Sequence, residues 1–216
     1  MSAVTDLRVR TRSEADLRRM RASDTVRKKY GVPRHLWGHR LSHYVARDAD
    51  QRNAADILLQ HLREWGSRNG SARGVLLAGP HGTGKSHLAC AALYELAYQS
   101  REKQLCRFVS AHDYVAAKQT ILGRFDTDVS ERISEYQDAD LLVLDQLGGE
   151  HRTATGYAES TLYQLVSDRY NDGRPTVVTT WLGKRQLTEI HPALMNLLER
   201  EAATLVPMTG GTDARG

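Results

Sequence analysis

The sequence predicts a parallel α/β fold, and three observations carry that prediction. Short apolar segments alternate with helical ones at the spacing of βαβ units. A glycine-rich loop ending in Lys85-Ser86 directly follows the first apolar segment. A further apolar segment, Asp140-Leu141-Leu142-Val143-Leu144-Asp145, ends in an acid about 60 residues beyond Lys85, and its unbroken apolar run suits a strand covered on both faces.

The elements follow in chain order. Ser13-Glu14-Ala15-Asp16 before Leu17 reads as a helix start, and that helix runs to about Tyr30, stopping at Gly31 with Pro33 beyond. Its apolar positions (Leu17, Met20, Val26) are few, so it needs a partner or the core to settle. Ala54, Ile57, Leu58, Leu62 and Trp65 recur at helical spacing and predict an amphipathic helix from Asp50 to Gly66. A turn at 67–71 leads to the first strand, Gly74 to Gly79, and a helix over 85–98. A second strand, Leu105 to Val109, precedes helical segments around 112–122 and 129–137. The strand 140–145, a helix over 156–170, a strand at 175–180, a helix over 191–201 and a fifth strand at 205–208 complete the pattern. No internal repeat or low-complexity segment interrupts it.

Composition narrows the class. The chain has 216 residues, 40% hydrophobic and 26% charged, which suits one sizeable core. No apolar run approaches the length of a membrane span, and residues 1–20 lack the apolar stretch of a secretory signal. Two cysteines, Cys90 and Cys106, make no disulfide scaffold; they read as small buried apolar residues of a protein in a reduced cytoplasm. The net charge of +4 is unevenly spread: residues 1–50 hold 12 Lys/Arg against 6 Asp/Glu, net +6, leaving −2 for the rest. A basic arm over residues 1–44 on a folded core over 45–216 is the expected organisation, with no room for a second folded domain. The arm (Arg18, Arg19, Arg21, Arg27, Lys28, Lys29) suits nucleic-acid phosphates or a protein partner, or else is a solvated helix face.

Gly79-Pro80-His81-Gly82-Thr83-Gly84-Lys85-Ser86 fits G-x-x-x-x-G-K-[ST], the phosphate-binding P-loop. Glycines let the backbone curl so that successive N–H groups point at phosphate oxygens, Lys85 adds a point charge at the β- and γ-phosphates, and the Ser86 hydroxyl ligates Mg²⁺. The following helix aims its positive end at the same anion. The pattern arises by chance in roughly one chain of this size in a hundred, and the strand before it and helix after it make coincidence rarer still. Residues 79–87, with His87 after the motif, form the expected nucleotide-binding set.

A P-loop enzyme holds its Mg²⁺ with a carboxylate on a neighbouring strand, and Asp145 supplies one. Hydrolytic ATPases of this type place a second acid next, where this chain has Gln146; an amide orients water but is a poor base, so turnover is expected to be slow or partner-dependent. Glu150 is the remaining acid nearby, read as a solvated loop residue.

These motifs resemble the DnaC/IstB group of AAA+ ATPases over roughly residues 32–215: residues 79–89, 140–148 and Arg174-Pro-Thr-Val-Val-Thr-Thr match in register. The resemblance implies an AAA+, RecA-like sheet, an ATP and Mg²⁺ requirement, and an ATP-dependent homo-oligomer. It implies a helicase loader in DNA replication that assembles on single-stranded DNA and delivers a replicative helicase, or alternatively a transposition helper that recruits a transposase. It places Arg200 as a trans-acting arginine finger and Arg215 as a second phosphate-sensing arginine. Two departures stand out: Gln146, and Trp181 where the group carries a sensor asparagine, a role that Thr180 is expected to cover in part. Both point to the further alternative of a slow or non-hydrolysing switch. A small-molecule kinase fits the strand 174–180 less well. His39 and His43, four residues apart with no cysteine near, make a poor zinc pair.

Overall fold

The computed structural model describes residues 29–210 except 38–40, 42–43, 66–72, 101–103, 125 and 151–155. Five strands form one parallel sheet: β1 (Gly74–Ala78), β2 (Cys106–Ser110), β3 (Leu141–Asp145), β4 (Thr176–Thr180) and β5 (Ala203–Pro207), in the order β2-β3-β4-β1-β5. The helices are α1 (Ala49–Trp65), α2 (Lys85–Gln99), α3 (Ala111–Gly123), α4 (Thr127–Asp138), α5 (Tyr157–Asn171), α6 (Lys184–Ile190) and α7 (Pro192–Leu197). A π-helical turn, Leu198–Ala202, joins α7 to β5. The expected strands are therefore all present, within about two residues of their expected ends.

Alternation along the strands sorts their side chains into two cores. Val75, Leu77, Leu141, Val143, Val177 and Val206 face α1 and α2. Leu76, Leu142, Leu144 and Val178 face α3 to α7. Strands this short survive because β3 and β4 are buried at every position, a doubly covered arrangement.

Local chemistry sets several boundaries. The Ser110 hydroxyl accepts from the Asp113 amide at the start of α3, and the Asp126 carboxylate accepts from the Val129 amide at the start of α4. The helix expected over 191–201 is present as α7 continued by the π turn to Ala202, and α6 precedes it. Pro192 starts α7 at a position where a missing N–H costs nothing, so the chain turns at His191.

Packing carries the folded body upstream of residue 45. Tyr30, Val32, Leu36 and Leu41 are buried against α2 and its neighbours. Tyr30 stands edge-on to Tyr94 at 6.2 Å, and a Cβ on Gly31 would lie 2.7 Å from the Phe108 carbonyl oxygen. The basic side chains before Lys29, with most of the helix expected there, lie outside the described residues, as do His39, His43 and Arg215.

Arg169 locks the second core from within. Its guanidinium donates to the Tyr136, Gln137, Ala139 and Pro175 carbonyls at 2.7–3.0 Å and to the Thr176 hydroxyl at 3.0 Å. The side chain is 1% exposed, and its loss would take a donor from five acceptors, of which Gln137 keeps Arg174 and Pro175 keeps the Leu142 amide. Burial, helped by the neighbouring Arg174, draws its pKa down to about 9, which leaves it charged at neutral pH. Cys90 and Cys106 are buried free thiols; burial pushes Cys106 up to about 12 and Cys90 upward as well, so both are inert hydrophobes. Among the described residues no helix is long and apolar enough to cross a membrane.

Candidate functional site

The loop 79–84 leaves the C-terminal end of β1 and enters α2 at Lys85. Two glycines make this turn possible. Gly84 is left-handed (φ +87°) at the N-cap of α2, and a Cβ on Gly79 would lie 1.9 Å from the Met208 carbonyl oxygen. The Lys85 ammonium is buried and donates to the Pro80 carbonyl at 2.6 Å and the Thr83 hydroxyl at 3.2 Å. Burial lowers its pKa, and the negative charge of Asp145 opposes that. A cation held against its own loop by neutral acceptors is ready to exchange them for phosphate oxygens.

The acid strand meets this loop. The Ser86 hydroxyl donates to Asp145 Oδ1 at 2.7 Å, and the Thr179 hydroxyl donates to the same oxygen at 2.5 Å. Thr179 Oγ1 also accepts from the Gln146 amide at 3.0 Å, so one hydroxyl joins β3, β4 and the residue after Asp145. Register brings this about: Asp145 and Thr179 share a strand face with Val143 and Val177, which is the face that packs α2 and hence Ser86. Ser86 and Asp145 present one hydroxyl and one carboxylate side by side, a hard oxygen pair of the kind Mg²⁺ selects.

Lys85, Ser86, His87, His81, Gly82, Gly84, Gln146, Thr179, Thr180 and Trp181 line one open cleft of about 240 Å³ with His35 and Leu36. A Cβ on Gly82 would meet nothing within 4 Å, so the space above the loop is clear. Gln146 is exposed in this cleft and is the one non-glycine residue with positive φ (+60°) among those described. Holding a side chain there costs on the order of 1 kcal/mol, offset by the amide hydrogen bond to Thr179.

Other expected residues take different places. Thr180 borders the cleft, but its hydroxyl donates to the Leu147 carbonyl at 2.8 Å and accepts from the Leu182 amide at 3.1 Å, turned away from Ser86. Trp181 stacks on the His81 ring, centroids 5.2 Å apart and planes 23° apart. Glu150 is not solvated: its side chain is 1% exposed, accepts from the Gly148 amide at 2.9 Å and pairs with His191 Nε2. Burial is the largest single influence and raises its pKa, but the hydrogen bonds from His191 and the backbone amides, with the electrostatic pull of His191, together outweigh it, and the net shift is downward.

Arg200 is exposed on the π turn that precedes β5. Ala203 pairs with Gly74 at the start of β1, so the five residues of β1 separate this turn from the loop at the other end. At about 3.3 Å per residue that is roughly 16 Å, and the topology keeps Arg200 apart from its own chain's Lys85. The chain instead returns to the loop at Met208–Gly210. Met208 N donates to the Ala78 carbonyl, Thr209 N donates to Asp50 at 3.0 Å, and a Cβ on Gly210 would sit 3.2 Å from Thr83 Cγ2.

Sequence reasoning missed Thr179, Gln51 and the Glu150–His191 pair. Gln51 Nε2 donates to the Thr83 carbonyl at 3.2 Å, bracing the loop from α1. Strand parity was the signal for Thr179: two residues before Trp181, it alternates onto the face of Asp145, whereas Thr180 alternates off it. No sequence signal links residues 41 positions apart, such as Glu150 and His191.

Comparison with known families decides the class. The family of IstB-like ATP binding proteins matches residues 4–192. The chain belongs to that family. It is an ATP-binding AAA+ protein, and its five-stranded parallel sheet has the fold of the solved structures it resembles. The helicase loader DnaC of Escherichia coli K12 is 26% identical over 140 residues, 65% of this chain and 54% of that protein. A protein of Mycobacterium tuberculosis described as ATP-binding and belonging to an insertion sequence is 31% identical over 106 residues, 49% of this chain and 39% of its own length. This chain thus spans about half the length of the curated relatives it matches. The crystal structure of the DnaC helicase loader superposes with a TM-score of 0.70 at 18% identity, covering 82% of this chain and all of that one. The DnaI structure gives 0.68 at 20% identity, over 83% and 96%.

Proposed function

We propose that the protein is an ATP- and Mg²⁺-dependent helicase loader of cytoplasmic DNA replication, working as a homo-oligomer assembled on single-stranded DNA. The observation that carries the nucleotide chemistry is the Ser86–Asp145–Thr179 cluster beside the Lys85 loop. Residues 79–87 hold the phosphates, with Arg215 as a second phosphate-sensing arginine. Ser86 and Asp145 hold Mg²⁺, whose charge, when bound, neutralises the β- and γ-phosphate oxygens. Lys85 adds its charge there, and Gln146 orients water without accepting its proton. Glu150 is sequestered by His191, so it offers no replacement base and turnover by the isolated chain is slow.

Arg200 supports the oligomer. Standing a strand's length from its own loop, it acts on a neighbouring subunit's γ-phosphate, which makes hydrolysis depend on assembly. The basic side chains before residue 45 serve the DNA or the helicase as an N-terminal arm beside the ATPase core. The insertion-sequence relative favours a second reading, a transposition helper that recruits a transposase.

The decisive assay combines ATP turnover with and without oligo(dT) and co-sedimentation with purified replicative helicase or purified transposase from one host. Turnover that rises on DNA with helicase co-sedimenting supports the loader; co-sedimentation with transposase alone supports the helper. Equal turnover with and without DNA, with neither protein retained, rejects both.

A further inference from the structure

Thr179 spends its hydroxyl on Asp145 and Thr180 spends its own on Leu147, so β4 directs no side-chain donor at the space above the loop. The residue that follows is Trp181, which cannot reach a phosphate through a hydrogen bond from its ring face. Its indole nevertheless borders that space and carries the His81 ring against it at 5.2 Å, nearly parallel. A histidine on an exposed loop ordinarily samples several rotamers; an aromatic platform selects one of them. Trp181 is itself placed by the turn after Asp145. A Cβ on Gly149 would come 2.6 Å from Trp181 Cη2, and the Gly149 amide donates to the Gln146 carbonyl at 2.9 Å.

We infer that the Trp181–His81 stack is the element of this site that recognises the third phosphate, with the His81 ring N–H as donor and Trp181 as its positioning residue. The inference rests on the ATP reading of the cleft and adds the selectivity for triphosphate over diphosphate. His81 touches the ligand; Trp181 and Gly149 act through it. The stack also connects the turn holding Gln146 to the phosphate loop, so an indole shift alters recognition and water placement together.

The experiment is paired titration of ATP and ADP, each with Mg²⁺, into the intact wild-type chain and five variants. His81→Ala and Trp181→Leu are expected to weaken ATP about tenfold, the scale of one hydrogen bond to a charged group, and to leave ADP within about twofold. Trp181→Phe keeps a platform and retains most of the preference, whereas Gly149→Ala displaces the indole and lowers it. A purely structural role for the stack weakens ATP and ADP alike, and that result overturns the inference, as does an unchanged ATP-to-ADP ratio in His81→Ala. Lys85→Ala is the control: if it binds ATP as the wild type does, the nucleotide reading itself fails. If Lys85→Ala loses ATP while His81→Ala keeps the ratio, only the stack's role is rejected.

Discussion

Ser86 Oγ donates to Asp145 Oδ1 at 2.7 Å, and this single bond joins the phosphate loop to the acid strand across 59 residues of sequence. Because Thr179 donates to the same oxygen, the carboxylate is held from two elements at once.

Thr179→Val tests that hold. The substitution keeps the side chain's shape but leaves Asp145 Oδ1 with Ser86 as its remaining donor and removes the acceptor of the Gln146 amide. A loss of about 1–3 kcal/mol is expected in denaturant unfolding, together with weaker Mg²⁺ dependence of ATP binding. Thr180→Val loses stability without changing that dependence, because its hydroxyl serves Leu147.

Gln146 offers two opposed changes. Gln146→Glu supplies a base where the wild type has an amide, and phosphate release is expected to rise at least about tenfold. Gln146→Gly relieves the left-handed φ of +60° and raises stability by up to about 1 kcal/mol. An unchanged rate in the first variant shows that the amide does not limit turnover.

Arg169 is a structural arginine. Arg169→Met removes five hydrogen bonds, those to the Tyr136 and Ala139 carbonyls and the Thr176 hydroxyl among them, and unfolding free energy is expected to fall by at least about 3 kcal/mol. Circular dichroism melting of the variant checks this.

The Glu150–His191 pair gives stability a pH dependence with a definite sign. The folded-state pKa of Glu150 lies below its usual value near 4.5, so its contribution is fully present above that value. The contribution is lost as pH falls through the lower folded value. A series of melts from pH 7 to pH 3 is expected to show a steeper acid decline in the wild type than in Glu150→Gln. The variant is less stable at pH 7 because His191 loses its charged partner.

Much of this was legible beforehand because parallel strands and phosphate loops are local patterns. Glycine spacing, the Lys85-Ser86 ending and the apolar run into Asp145 each lie within ten residues. What escaped was set by tertiary contact. Thr180, next to Trp181, is the residue expected to cover the sensor role in part, but strand parity places the Thr179 hydroxyl beside Asp145 instead. Glu150 reads as solvated in the sequence because its partner, His191, lies beyond α5 and β4 along the chain. The helix expected over 191–201 is present from Pro192, but its last turn widens to a π turn, an irregularity that helical spacing alone does not register.

The most direct test of the central claim is ATP affinity measured with Mg²⁺ and with EDTA, in the wild type and in Asp145→Asn. With Ser86 and Asp145 as the metal pair, Mg²⁺ should tighten ATP binding in the wild type and have little effect in the variant. An equal Mg²⁺ effect in both proteins contradicts the assignment of Asp145 as a metal ligand.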